Sequence, residues 1–299
     1  MKRSICVLFL MITLFLATLS FSTADSLNAT IYVDDDGTAD YTSIQDAIDS
    51  AVDGDTIFVY AGQYHESIRI DKSLHIIGED KYETIINETR SGPLVDINHA
   101  HVHFEGFTLI DDASVWSDSV AVIFVNSNGN SIENNIIITD LYNGIKLHPR
   151  TKENSITRNV ITARYAGIRL EWSWNNQISG NHLVDQQVGI NMDYSFKNNI
   201  QQNHFEDNGM GVFLIDCYGN NFSQNNFIDK GDDVYMHPRF SVNSWNNNYW
   251  KDYVGKIPFH IVTQRYIPFT NIPLVFWFDL LRIDWNPASV PFDIDGGII

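Results

Sequence analysis

The chain has 299 residues, 44% of them hydrophobic, and sets 19 Lys plus Arg against 37 Asp plus Glu for a formal charge of −18. Nucleic acid and anionic membrane would repel so acidic a protein and are excluded as partners on that ground. With two cysteines in the whole chain, neither a disulfide framework nor a cysteine-based zinc site can be built.

Lys2 and Arg3 precede an apolar run from Ile5 to Leu19, and Ser22-Thr23-Ala24 offers small residues for cleavage. Residues 1–24 therefore read as a secretory signal peptide, with a run too short for a membrane anchor. The mature protein is expected to be secreted, periplasmic or at the cell surface, with no transmembrane segment. Its charge is then −20, and Cys217 is its single thiol because Cys6 lies in the leader. Asn28, Asn87 and Asn221 each open an Asn-x-Ser/Thr glycosylation triplet, relevant only in a glycosylating host.

Asp34-Asp35-Asp36-Gly37-Thr38-Ala39-Asp40 gathers acidic oxygens around a glycine, as part of a calcium loop does. It lacks the spacing and the terminal Glu of a full EF-hand and reads as a solvated turn. Residues 42–51 place Ile44, Ala47, Ile48 and Ala51 on one helical face behind Thr42 or Ser43 as N-cap. Short apolar strands follow, from Ile57–Tyr60 to Val120–Val125, interrupted by a loop at Asp111–Ser119 that could wall a site.

From residue 130 the chain repeats itself. Asn-x-(Ile/Phe/Trp)-x-x-Asn begins at Asn130, Asn154, Asn176, Asn198, Asn220 and Asn243, at intervals of 24, 22, 22, 22 and 23 residues. A second phrase keeps step: Gly144-Ile145-Lys146-Leu147, Gly167-Ile168-Arg169-Leu170, Gly189-Ile190-Asn191-Met192, Gly211-Val212-Phe213-Leu214 and Asp233-Val234-Tyr235-Met236. The leucine framework of a leucine-rich repeat is missing. Each unit instead carries short strands of alternating polarity between Asn, Gly and Ser corners, the pattern of one coil of a parallel β-helix. Asparagines in column at a corner can satisfy turn backbone that would otherwise be orphaned. About nine coils, roughly 40 Å long at the inter-strand spacing, are expected.

These repeats resemble the right-handed parallel β-helix family with the pectin-lyase-like fold, in particular NosD-like and carbohydrate-binding or sugar-hydrolase repeats. Ile31-Tyr32-Val33-Asp34-Asp35-Asp36-Gly37, Gly54-Asp55-Thr56-Ile57-Phe58-Val59 and Ser73-Leu74-His75-Ile76-Ile77-Gly78 look like the opening common in that family. The fold expected is all-β: a single-stranded right-handed parallel β-helix over residues 25–250, a short N-terminal capping helix, and an irregular C-terminal tail over residues 251–299. That tail holds five prolines among apolar and aromatic residues and reads as a cap.

Stacking the coils brings chemistry together. His148, Glu171, Asp193 and His237 share one outward position, with Lys146, Arg169, Asn191 and Tyr235 two residues earlier. Glu171 and Asp193 on adjacent coils would raise each other's pKa, with Arg169 and His148 nearby. Trp172 and Tyr194, then Trp174, Phe196, Tyr218 and Phe240, fall at equivalent corners. Carboxylates and amides beside flat rings suit a polysaccharide or surface glycan. The expected site is Glu171, Asp193 and Arg169 as the reactive set, with His148, Trp172, Asn191, Tyr194, Tyr235 and His237 as contacts. Columns of this kind also arise because neighbours on one sheet stabilise each other. Asp232-Asp233 is present without the other three polygalacturonase-like motifs, and Glu171, Asp193 and Arg169 imitate the calcium and arginine set of pectate-lyase-like enzymes only loosely. Lyase or hydrolase activity therefore stands beside a surface scaffold as an alternative. The NosD-like resemblance implies copper. Aligning Leu74 with Val102 and Ile132 puts His75, His103 and Glu133 in one column, with His101 on the same strand, as a copper or zinc set.

Overall fold

The structure is a computed structural model that describes residues 28–88, 92–111, 120–140, 142–236, 242–251, 259–260, 283–284 and 287–294. The leader, the loop at 112–119, His237, Phe240 and most of the tail lie outside the described residues.

The coil that contains Asn154 shows the plan: strands Ser155–Thr157, Val160–Thr162 and Ala166–Glu171 are separated by tight corners. The next coil repeats it with Gln177–Ser179, His182–Val184 and Val188–Asp193. Corresponding strands pair in parallel, Ile156 with Ile178, Ile161 with Leu183 and Ile168 with Ile190. Repetition yields three parallel sheets of 10, 9 and 8 strands, here called the first, second and third in chain order within a coil. The chain is thus a parallel β-helix of about nine coils.

Alternation puts one inward residue of each strand into a column. Ile132, Ile156, Ile178 and Ile200 lead to Phe222 and Trp245 on the first sheet; Ile161 and Leu183 lead to Phe205, Phe227 and Trp250 on the second. Burying each such side chain contributes about 1.5–3 kcal/mol. Toward the C-terminal end the column becomes aromatic, with Phe222 and Trp245 stacked at 4.1 Å and Phe227 and Trp250 at 4.3 Å. This crowding explains the glycine of the repeated phrase: a Cβ on Gly189 would lie 2.6 Å from the Phe205 ring.

Two asparagine ladders close the corners. In one, Asn135, Asn159, Asn181, Asn203, Asn225 and Asn248 each offer Oδ1 to the backbone N–H of the coil before, as Asn203 does to Asn181 at 3.0 Å. Each Nδ2 donates to the next Oδ1 and to a strand carbonyl, as Asn181 does to Asn203 and to Ile156. The residue before each rung holds a left-handed φ, from 54° at Asn134 to 66° at Gly180, a conformation costing roughly 1 kcal/mol outside glycine. The ladder ends on Asp284, whose buried carboxylate accepts from the N–H groups of Asn247 and Asn248, from Asn248 Nδ2 and from Trp250 Nε1. At the other end helix α1, Ile44–Ser50, buries Ile44, Ala47 and Ile48 over the first coil. Its N-cap is Ser43, and Glu66 accepts from the N–H groups of Ile44 and Gln45.

A shorter column at the third corner passes from Gln186 through Asn208 to Asp229. Asp229 Oδ1 accepts from the Asn208 backbone and from Asn208 Nδ2, while its buried Oδ2 has no partner among the described residues. In the rung before, Asn208 Nδ2 donates to the carbonyl of Leu183, the register mate of Phe205. Burial pushes the Asp229 carboxyl up to about 7. The stability carried by its protonated form is complete below the ordinary carboxylate range and is lost as pH rises through about 7. Asp229→Asn, which keeps the rung and cannot ionise, should raise urea-unfolding stability by about 2 kcal/mol more at pH 8 than at pH 5.

Candidate functional site

On the third sheet the register sets Lys146, Arg169, Asn191, Phe213 and Tyr235 in one outward column and Glu171, Asp193 and Ile215 in the next. Facing outward does not expose them: Lys146, Arg169 and Asn191 are all buried. They form a compact charged cluster. Lys146 Nζ lies 3.2 Å from Glu171, and Arg169 Nη2 bridges Glu171 at 2.5 Å and Asp193 at 3.3 Å. Asn191 donates to the Tyr165 hydroxyl at 3.1 Å, and Tyr165 stacks on Tyr142 at 4.2 Å. Two buried acceptors, Asn191 Oδ1 and Asp193 Oδ1, have no partner among the described residues.

Asp193 is held above the ordinary carboxylate range, chiefly by burial and further by the Glu171 charge, against the opposing pull of Arg169. The cation that reaches Glu171 from the coil before is Lys146; exposed His148 instead lies against Phe124, with ring centroids 5.7 Å apart. Tyr235 stacks on Phe213 at 4.9 Å.

Beyond the cluster the chain turns toward the first sheet through left-handed corners. Trp172, Tyr194 and Asp216 take φ of 48°, 50° and 49°. The turn throws Trp172 and Tyr194 into solvent, 54% and 40% exposed, and stacks their rings at 4.5 Å and 12°. Two residues on, Trp174, Phe196 and Tyr218 form a second ladder at 5.4 and 5.1 Å. Between the ladders Ser173, Ser195 and Cys217 point inward. Cys217 donates to the Met192 carbonyl, and burial pushes its thiol up to about 12, so it offers no thiolate.

The early histidines depart from the expected arrangement. The register pairs His75 with His103 and His103 with Ser131, so Glu133 stands opposite Glu105 rather than in the histidine column. Val102 occupies the place of Asn130, and Phe107 that of Asn135, whose side chains accept from their N–H groups. Matching Val102 to Ile132 by polarity slips the strand by two residues. His101 is not on the strand, which begins at His103; it takes a left-handed φ of 61° in the preceding turn. His103 still meets carboxylates, with Nε2 3.3 Å from Glu105 and 3.5 Å from Glu133. His75 packs its ring 5.7 Å from that of His103.

A second histidine cluster went unread. His182 and His204 pair across two coils of the second sheet, and Glu206 lies outward two residues past His204. The signal was present in the repeat, since Asn181-His182 and Asn203-His204 recur one period apart. The Asp34–Asp40 segment spends its carboxylates on backbone and hydroxyl donors: Asp34 accepts from Asp36 N and Thr38 Oγ1, Asp40 from Tyr32 N, and Asp35 from Gln63 N.

The fold and these clusters define a single-chain parallel β-helix with polar and aromatic columns along its outer faces. The profile described as periplasmic copper-binding protein (NosD) matches residues 48–255, and the chain belongs to the NosD family. No curated protein matches it. Among solved structures it is similar to XylC in complex with xylose, at TM-score 0.61 and 11% identity over 74% of this chain and 65% of that one. The enzymatically active domain of tailspike protein 2 from bacteriophage CBA120 follows at 0.53 and 12%, over 68% and 39%. The pectin methylesterase from Aspergillus niger gives 0.51 and 12%, over 74% and 83%. At such identities the likeness is one of fold.

Removing Arg169 would leave Glu171 and Asp193 facing each other in a largely buried setting. Arg169→Met should cost about 3–5 kcal/mol in urea unfolding at pH 8. The loss should shrink as pH falls through the raised Asp193 value, because protonation removes the uncompensated charge.

Proposed function

We propose that this is an exported β-helix protein that binds extracellular carbohydrate along the corner between its third and first sheets. The observation that carries the reading is the pair of parallel aromatic ladders, Trp172–Tyr194 and Trp174–Phe196–Tyr218, stepping along the axis beside a polar cluster. Sugar C–H faces stack on such rings, and hydroxyls take contacts from Glu171, Asp193 and their neighbours. A site that repeats once per coil fits an extended polymer better than a small molecule. XylC, solved with xylose, shows the same fold carrying a sugar. Were the face also catalytic, Asp193, with its raised pKa, would be the proton donor and Glu171 its ionised partner, steadied by Arg169.

Because Trp172 and Tyr194 sit at left-handed corners, asparagine is the replacement that removes a ring without adding strain. On a glycan array and in titration with the best polysaccharide, Trp172→Asn and Tyr194→Asn should each weaken binding about tenfold. Glu171→Gln and Asp193→Asn test the polar contacts, and a reducing-sugar or unsaturated-product assay tests cleavage. Wild type binding no polysaccharide would overturn the reading in favour of a scaffold. Binding unchanged in all four variants would move the site elsewhere on the coil.

A second reading follows from family membership, whose description names copper. In the clusters that bring ligand atoms together among the described residues the donors are imidazoles and carboxylates, a set that suits copper(II) or zinc rather than copper(I), while Cys217, Met192 and Met236 are buried. Among the described residues His103, Glu105 and Glu133 bring their ligand atoms within 4.8 Å of one another, with His75 alongside. If this cluster holds copper, His75→Ala with His103→Ala should remove one equivalent in metal analysis after mild purification; unchanged copper would dispose of it.

A further inference from the structure

His182, His204 and Glu206 take no part in the carbohydrate corner and share no residue with the early histidines. Phe205 is buried in the core between His204 and Glu206, so the strand presents His204 and Glu206 on its outer side, with His182 one coil before. His182 Nε2 lies 2.8 Å and His204 Nε2 3.6 Å from the same Glu206 oxygen. The two imidazoles meet edge to face with centroids 4.9 Å apart, and all three ligand atoms fall within 4.8 Å of one another. Two neutral imidazoles and one carboxylate form a borderline donor set that takes copper(II), zinc(II) or cobalt(II) in preference to calcium or magnesium.

The column does not stop at His204. The next register mate is Asn226, and this amide, together with the Ala288 N–H donated to the Asn248 carbonyl, holds the C-terminal segment 287–294 to the helix. Its Oδ1 accepts from Phe292 N at 2.9 Å, and its Nδ2 donates to Phe292 O at 2.8 Å. Those two bonds fix which way the amide faces, so it turns an N–H toward His204 Nδ1, 3.3 Å away. His204 Nδ1 must then accept, and the proton of the neutral ring sits on Nε2, directed at Glu206.

We propose that His182 Nε2, His204 Nε2 and Glu206 bind one divalent d-block cation, and that binding competes with docking of residues 287–294 through Asn226. A cation at His204 Nε2 displaces the proton there; the neutral ring carries it on Nδ1 instead, where it meets the N–H of Asn226. Two donors cannot share that contact. Rotating the amide relieves it but sets Oδ1 against the Phe292 carbonyl and Nδ2 against its N–H, which breaks both bonds to Phe292 and leaves the segment on its Ala288 contact with Asn248. Metal-ligating histidines ordinarily donate their second nitrogen to an acceptor, and here the tail is what withholds one. The site stands independently of carbohydrate binding, so failure on a glycan array leaves it intact.

The full chain would be titrated separately with copper(II), zinc(II), cobalt(II) and calcium, following heat, the cobalt visible spectrum and nitrogen coupling in the copper electron paramagnetic resonance. Hydrogen exchange of residues 287–294 would be read with and without metal. Wild type should bind one d-block equivalent through nitrogen, calcium should not compete, and exchange in 287–294 should quicken on binding. His182→Ala with His204→Ala should weaken that equivalent at least about 100-fold, as should Glu206→Gln, which preserves the side-chain shape. His75→Ala with His103→Ala should leave it unchanged. Asn226→Asp, which offers His204 Nδ1–H a carboxylate acceptor, should tighten binding about tenfold. No d-block equivalent in wild type, or the same affinity in the double histidine variant, would overturn the site. Unaltered exchange in 287–294 on binding, or weaker binding in Asn226→Asp, would overturn the competition.

Discussion

A solenoid whose coils turn every few residues exposes more corner backbone than it can pair with itself, and the asparagine ladders are the answer to that constraint. Each rung satisfies the N–H of one corner and ties it to the next, as Asn181 and Asn203 do. Inserting or deleting a residue between rungs would break a chain of buried amides, each leaving a desolvated donor at about 1–3 kcal/mol. Coil length is thereby held close to 22 residues where the ladders run. Constant coil length in turn aligns the outer side chains into columns, and every cluster described above is such a column. The ladder also explains the role of Asp284: the last rung has no further amide to meet, and a carboxylate supplies the acceptors for three donors of Asn248 and its neighbour.

From Asn130 onward the architecture and the stacking were legible in the sequence, because the asparagine and glycine phrases report directly on corner hydrogen bonding and core crowding. Glu171 beside Asp193, and Trp172 beside Tyr194, follow from that register alone. Before Asn130 the same geometry persists under different residues. Val102 and Phe107 contribute only their backbone to the ladders there, so the pattern that marks a corner vanishes although the corner remains. That is why the histidine column slipped by two residues. His182 and His204 were overlooked for the opposite reason: they stand next to rung asparagines so regular that they read as part of the framework.

Periodicity could not reveal how far an outward side chain is covered. Strand alternation assigns Lys146, Arg169 and Asn191 to the outer face, yet Tyr142, Tyr165, Phe124 and Phe213 crowd that face and the three are buried. The charges of Lys146 and Arg169 are therefore engaged by Glu171 and Asp193 before any ligand arrives. A cluster neutralised in this way holds its carboxylates in fixed positions but does not attract a charged polymer over distance, which agrees with an overall charge of −18. The exposed rings at the corners are then the first groups that an arriving chain of sugars would meet.

The two outer faces differ in how a column is used. On the third sheet a column of cations, Lys146 and Arg169, runs beside a column of carboxylates, Glu171 and Asp193, so Arg169 bridges both acids and the two columns close on each other. On the second sheet the register places His182 beside His204, and burial together with the neighbouring ring lowers the His204 pKa. A single glutamate faces both rings. Two imidazoles facing one carboxylate leave three ligand atoms converging on a common point, which is the arrangement a cation completes. Stacking that sets permanent cations beside carboxylates yields closed ion pairs, and the same stacking with histidines in the place of Lys146 and Arg169 yields a set of metal ligands.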